Sequence, residues 1–167
     1  GTQTFVEAIT NSCNPAFIQI GQLIGANTFS KYFKAFGLTQ KTGIDLPGEA
    51  SSYYHSEENM GPTELASSSF GQTFKITPIQ MIGLAATAVN GGYSVKPHLV
   101  DKIIDSDNNV VESFSSKGRQ QVISQTTSAT MRTMLEYVVQ NGAKNGIVSG
   151  YRVGGKTGTS QKVAEIE

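Results

Sequence analysis

Two tripeptides with chemical potential each occur twice in this sequence. Lys41-Thr42-Gly43 stands in "LTQKTGIDLPGEA" and Lys156-Thr157-Gly158 in "YRVGGKTGTSQKV". Ser12-Cys13-Asn14 stands in "AITNSCNPAFIQ" and Ser106-Asp107-Asn108 in "IIDSDNNVVE". A lysine among hydroxyls and glycines suits an anion. The ammonium supplies charge, the hydroxyls supply directed hydrogen bonds, and glycine lets a ligand lie against backbone N–H groups. At most one copy of each tripeptide can serve one site.

The neighbours of each copy separate them. Ser106-Asp107-Asn108 lies at the centre of "PHLVDKIIDSDNNVVESF", two β-rich runs about a polar middle. Asp and Asn stabilise turns by bonding nearby backbone and tolerating left-handed angles, so this copy reads as a hairpin tip. Lys41-Thr42-Gly43 precedes Pro47-Gly48, a turn signal, and reads as structural loop. Lys156-Thr157-Gly158 sits in a run, Gly154 to Ser160, made only of one cation, three hydroxyl residues and three glycines. That density suits an anion site on a strand, and equally a glycine-rich strand with a surface lysine. Ser12-Cys13-Asn14 stands where one helix hands over to the next. A short loop there can present side chains into a cleft, or Ser12 and Asn14 can simply be helix caps.

The elements that must hold these residues are mostly helical at first. "TFVEAITNS" puts Phe5, Val6 and Ile9 on one face, and "AFIQIGQLIG" does the same with Phe17, Ile20 and Ile24. Asn14 reads as N-cap of the second helix and Pro15 as its first residue. "NTFSKYFKAFG" gives a third helix with Phe29, Tyr32, Phe33 and Phe36, stopped by Gly37. Residues 38–63 read as loop, with Pro62 among the breakers. Thr77 caps and Pro78 opens "TPIQMIGLAATAVNGG", which Asn90-Gly91-Gly92 ends. After the hairpin, "RQQVIS" can add a short strand. Ser124 opens a helix with Met131, Met134, Leu135 and Val138 on one face, and "YRVGGKTGTSQKVA" reads as the final strand. The expected organisation is one partial domain over 1–167: a helical part over about 1–92, a hairpin part over about 93–123, and a helix plus active-site strand over about 124–167.

The totals exclude several classes. Thirteen basic and thirteen acidic residues give zero formal charge, so nothing points to nucleic acid. The single cysteine, Cys13, allows neither an internal disulfide nor a Cys-rich metal site; a buried, unreactive thiol is expected. His55 and His98 lack a second ligand at helical spacing and read as surface or packing residues. No cofactor and no metal are expected. No run of about 20 apolar residues occurs, which a membrane-spanning helix needs.

Taken in order, "NSCNPAFIQIGQLIG", "FGLTQKTGIDLPGE", "SSFGQTFKITPIQMIGLAATAVNGG" and "VGGKTGTSQK" resemble the transpeptidase domain of class B penicillin-binding proteins of Gram-positive division or sporulation type. That family uses Ser-x-x-Lys, Ser-x-Asn and Lys-Thr-Gly in this order. The likeness covers nearly the whole chain and assigns "KTGIDLPGE" to a non-catalytic segment and "GGKTGTSQK" to the active-site strand. It implies an α+β fold, mostly helical with a few antiparallel strands ending in the Lys-Thr-Gly strand. One departure is clear: no lysine has a serine three positions before it, the nearest forms being Thr28 before Lys31 and Thr159 before Lys162. The chain therefore looks like an internal piece whose nucleophile and base lie elsewhere.

The resemblance implies a serine D,D-transpeptidase that cross-links peptidoglycan stem peptides and is acylated by β-lactams. By resemblance, Ser12 helps move the proton to the leaving nitrogen and Asn14 holds the substrate amide. Lys156 sets a positive potential, Thr157 and Thr159 bond the terminal carboxylate, and the Thr159 N–H beside Gly158 helps form the oxyanion hole. The strand alternation places Lys156 and Gly158 on one side and Thr157 and Thr159 on the other. The site is therefore expected along the strand edge, with Ser12 opposite Lys156. Expected partners are stem peptides, β-lactams, division or sporulation cell-wall proteins, and further copies of the chain. The parent is expected to be membrane-anchored and extracytoplasmic, and the isolated piece inactive. The alternative is a β-lactam- or muropeptide-binding sensor of the same fold.

Overall fold

The structure is a computed structural model and describes residues 1–114 and 120–160. Its helices are α1 (Phe5–Thr10), α2 (Asn14–Ile24), α3 (Ala26–Ala35), α4 (Pro62–Ser68), α5 (Pro78–Val89) and α6 (Gln125–Gly142), and β1 (Lys102–Ile104) and β2 (Val110–Ser113) form an antiparallel pair. The class is α+β. The chain divides into two compact units: Gly1–Lys31 with Tyr54–Phe74 and the residues from Ala129 onward, and Tyr32–Tyr53 with Lys75–Ser128.

In the first unit, α1 opens with a capping box. Thr4 accepts from the Glu7 N–H and the Glu7 carboxylate accepts from the Thr4 N–H, satisfying two otherwise orphaned donors. The Thr4 N–H, and after it the Thr4 hydroxyl, both donating to the carboxylate, hold the Glu7 carboxyl below its ordinary range. Helices α2 and α4 cross closely at Gly21. A Cβ there would stand 2.7 Å from Ser69 Cβ. The buried face of α2 therefore runs through Phe17, Ile20 and Gly21, and Ile24 is exposed, contrary to the expectation for that position. Phe17 meets Phe5 of α1 at 6.4 Å between ring centroids. Helix α4 itself begins in the stretch read as loop. Pro62 is a helix starter there, since a first-turn N–H has no partner within the helix and its absence forfeits no hydrogen bond.

Helix α6 buries a stripe through Met131, Met134, Leu135 and Val138, the face anticipated, and adds Val139. Close contacts on it are made by glycine. Gly142 lies against Thr10, where an added Cβ would be 3.0 Å from Thr10 Cγ2. Gly154 lies against Leu135, where a Cβ would be 3.1 Å from Leu135 Cβ.

In the second unit, Thr77 and Gln80 form a capping box at the start of α5. Gln80 is almost fully buried, and its Nε2 donates to Gln40 O and Ser52 Oγ, both at 2.8 Å, so every polar atom of the side chain is used. Gly92 ends the helix region at φ 91°, and a Cβ there would stand 2.0 Å from Ile123 O, so only glycine fits. Ser128, with no exposed surface, donates to Ala88 O at 2.8 Å and accepts from the Gly91 N–H at 3.0 Å. The hairpin pairs Lys102 with Ser113, Ile103 with Glu112 and Ile104 with Val110, and is bulged between Ile103 and Ile104. "RQQVIS" contributes only one isolated bridge, Tyr93 to Gln121; Arg119 lies outside the described residues. Among the described residues no helix is long and apolar enough to cross a membrane.

Three helices end in the same six-residue loop. After α3, the Gly37 N–H bonds Lys34 O and the Leu38 N–H bonds Phe33 O; after α4, Gly71 bonds Ser68 O and Gln72 bonds Ser67 O. After α1, Ser12 bonds Ile9 O at 3.1 Å and Cys13 bonds Ala8 O at 3.0 Å. This loop requires a left-handed residue, and glycine is its usual occupant. The φ angles are 76° at Gly37, 88° at Gly71 and 50° at Ser12. Ser12 is the one side chain placed where the other two caps have none.

Candidate active site

All of the site residues drawn from the sequence lie in the first unit. Lys156 Nζ donates to Ser12 Oγ at 2.5 Å, to Thr157 O at 2.9 Å and to Thr157 Oγ1 at 3.1 Å. Those three contacts match the three donors of an ammonium group. Ser12, accepting from a cation, keeps its own proton for another acceptor. The residues are 144 positions apart, and α6 brings them together. At one point α6 carries Gly142 against Thr10, two residues before Ser12. Two turns away it carries Leu135 against Gly154, two residues before Lys156. The Gly155 N–H also donates to Leu135 O at 3.2 Å. Arg152 forks onto the Glu136 carboxylate of the same helix, and that hydrogen bond holds the Glu136 carboxyl below its ordinary range. Arg152 is solvent-exposed and Glu136 half-buried, and an ion pair with one partner in water orients the segment more than it stabilises it.

The glycines of this segment divide their labour. Gly154 and Gly155 fit against α6 and do not leave room for a ligand, as their place beside the tripeptide had implied. A Cβ on Gly158 would meet nothing within 4 Å, so the open side of the segment is there. Gly154→Ala is expected to destabilise by about 1–2 kcal/mol through overpacking on Leu135, and Gly158→Ala to leave thermal stability unchanged. Equal effects on the unfolding midpoint would contradict this division.

The segment differs from expectation in one respect. Residues 152–160 carry no strand assignment, because among the described residues no strand lies beside them to complete a ladder; residues 161–164 of the expected strand lie outside the described range. Strict alternation fails too. The lysine stem is long enough for its ammonium to fold back onto the next residue's hydroxyl, so Lys156 and Thr157 share one locality.

Ser12 and Asn14 do not cap α2. Its N-cap is Cys13, Asn14 is its first helical residue, and no side-chain cap hydrogen bond exists. The cap is shifted because the loop ending α1 already sets Cys13 in an extended conformation. Asn14 is exposed, and its carboxamide has no partner among the described residues. Cys13 is half-buried, not buried, as follows from its place at the helix entry. Thr159 is exposed. Sequence reasoning missed Gln72, whose Oε1 accepts from Ser160 Oγ at 3.4 Å.

The other copies are otherwise engaged. Thr42 N–H and Oγ1 both donate to Glu49 Oε1 at 2.7 Å, and the Gly43 N–H donates to Glu49 Oε2 at 3.0 Å. This Lys-Thr-Gly thus holds a carboxylate of its own chain. The Thr42 hydroxyl, with help from the backbone, draws the Glu49 carboxyl below its ordinary range. At the hairpin tip, Asp105 accepts from the Asp107 and Asn109 N–H groups at 2.9 and 2.8 Å, and Asn108 is left-handed at φ 64°, so Ser106-Asp107-Asn108 is turn structure.

A model of the penicillin-binding protein transpeptidase domain matches residues 1–166. The chain belongs to the penicillin-binding protein transpeptidase family. It is 45% identical to Stage V sporulation protein D of Bacillus subtilis over 99% of this chain and 26% of that protein. It is 32% identical to penicillin-binding protein PbpB of Mycolicibacterium smegmatis over 91% of this chain and 24% of that protein. The chain thus spans about a quarter of the length of these curated relatives. Among solved structures, penicillin-binding protein 3 of Mycobacterium tuberculosis superposes with a TM-score of 0.90 at 28% identity, covering 97% of this chain and 38% of that one. The D,D-transpeptidase domain of a peptidoglycan glycosyltransferase from Eggerthella lenta gives 0.84 at 28% identity, over 98% and 43%. In this transpeptidase segment the Ser-x-x-Lys pattern remains absent from the sequence.

Proposed function

We propose that this segment forms the carboxylate-binding and proton-relay side of a D,D-transpeptidase site. The reaction is acyl transfer: a serine attacks the carbonyl between two D-alanines, expels the terminal one, and passes the acyl group to an amine of a neighbouring strand. The observation that carries the reading is the hydrogen bond between Lys156 Nζ and Ser12 Oγ, with the Thr157 hydroxyl beside it. An ammonium ion next to two hydroxyls beside the open flank of Gly158 suits the carboxylate of a terminal D-alanine. Lys156 and the hydroxyls of Thr157 and Thr159 bind that carboxylate. Ser12 relays a proton to the leaving nitrogen, Asn14 holds the substrate amide, and the Thr159 N–H contributes to the oxyanion hole. The acylated serine and its base come from a Ser-x-x-Lys outside this sequence. No metal or cofactor enters the reaction. The longer protein acts on peptidoglycan at the outer face of the membrane, in sporulation or division.

The test is a chimera of Stage V sporulation protein D in which residues 1–167 replace the matching segment. The chimera is expected to be labelled by a fluorescent penicillin, and the 167-residue chain alone is not. A folded chimera that takes no label overturns the reading.

A further inference from the structure

Just after α4 the chain makes two left-handed steps around one polar side chain. Gly71 has φ 88° and Thr73 φ 63°, with Gln72 between them. Glycine takes such an angle freely. A β-branched residue does not, because its Cβ substituents crowd the backbone, so Thr73 is a true outlier. The helix end does not require it. The capping loop is complete once the Gln72 N–H reaches Ser67 O at 3.1 Å. Hydroxyl contacts hold Thr73 in place instead: its Oγ1 lies 3.1 Å from Ser67 Oγ and 3.3 Å from Ser68 Oγ, and donates to Gln72 O at 2.7 Å. Such over-determined strain concentrates where a side chain must be aimed.

What is aimed is the Gln72 carboxamide. Half-buried, it meets Ser160 through Oε1, and its Nε2 has no partner among the described residues. Because the Ser160 hydroxyl can donate or accept, either orientation of the amide leaves one of its polar groups without a partner among the described residues. Ser160 is four residues beyond Lys156, a step of at most about 13 Å for extended chain. A ligand lying along this stretch from Lys156 to Gln72 therefore spans up to about four extended residues. A neutral group carrying donor and acceptor in one plane matches a peptide bond.

We infer that Gln72 is a substrate-binding residue that hydrogen-bonds a backbone amide of the acyl-donor peptide, several residues upstream of the carboxylate held at Lys156. This rests on the transpeptidase reading above. It makes Gln72 a reader of peptide length, with no part in the bond-breaking step.

The test uses the same chimera with Gln72→Ala and Gln72→Met, the second keeping the bulk of the side chain. Two rates are compared: acylation by benzylpenicillin, and kcat/KM for release of D-alanine from a stem pentapeptide ending in D-alanyl-D-alanine. Loss of one uncharged hydrogen bond is expected to lower the pentapeptide value about five- to tenfold in both variants, with benzylpenicillin acylation changed less than about twofold. An unchanged pentapeptide value, or equal losses on both compounds, overturns the inference. An unsubstituted chimera that penicillin does not label overturns the transpeptidase reading and this inference with it, so the two failures are told apart.

Discussion

In the chimera, Ser12→Gly is expected to raise stability and nearly abolish penicillin acylation. Ser12 occupies the left-handed position of the loop that ends α1, at φ 50°, where α3 and α4 use Gly37 and Gly71. A side chain at such an angle costs about 1–2 kcal/mol. Glycine removes that cost but returns about 0.5–1 kcal/mol through its freer unfolded chain. The Lys156–Ser12 hydrogen bond, which the substitution deletes, is exposed and contributes little to stability. The net gain is about 0–1.5 kcal/mol, which thermal unfolding of the chimera would register as a slightly raised midpoint. On the proposed relay role of Ser12, penicillin acylation should fall by about 10²–10⁴, the range for losing a positioned proton-transfer group. Ser12→Ala separates the two effects, because it removes the hydroxyl and keeps the unfavourable angle. Its activity should fall equally with no gain in stability. If Ser12→Gly is acylated at the normal rate, Ser12 is a capping residue and nothing more.

Gly21→Ala is expected to be the most damaging small substitution in the first unit. The new methyl would stand 1.8 Å from Ser69 Oγ and 2.7 Å from Ser69 Cβ, with Leu65 O at 3.9 Å. The hydroxyl could rotate away, at the cost of its 2.6 Å bond to Leu65 O, but the Cβ cannot. Helices α2 and α4 must then separate. Overpacking of this kind costs about 1–3 kcal/mol, and the upper end applies because the obstacle is close to backbone. For a body of this size the unfolding midpoint should fall by roughly 6–12 °C. Ser69→Gly introduced with Gly21→Ala should restore much of the loss, since it deletes both clashing atoms. Failure of that rescue in a double-mutant cycle would show that the crossing is not limited by this contact. Both helices sit close to the site: Asn14 opens α2, and Gln72 closes the loop that ends α4.

Local chemistry made much of this molecule readable in advance. Thr77 and Pro78 start α5 because a hydroxyl cap and a missing N–H both suit a first turn, and these are nearest-neighbour effects. Gly37 ends its helix and Asp105 to Asn109 form the hairpin tip for equally local reasons. The four-fold stripe of α6 told which face would be buried. Where local signals were ambiguous, local reading failed. Pro62 can break a helix or begin one, and only the packing of α4 on Gly21 decides which. Asn14 and Cys13 are both able to precede a helix, and the loop closing α1 settled the choice for Cys13.

The tertiary structure alone decided the meeting of Ser12 with Lys156. Nothing within a few residues of either one encodes it. It follows from three close approaches at α6, where the helix's own Gly142 meets Thr10 and Gly154 and Gly155 meet Leu135 and Val139, spaced along the helix so that two distant loops arrive together. The sequence by itself determined which residues carry the groups that the proposed anion binding and proton relay need. Which copy of each motif is already occupied was a matter of fold, because a carboxylate such as Glu49 fills whichever cradle of N–H and hydroxyl donors the chain folds around it.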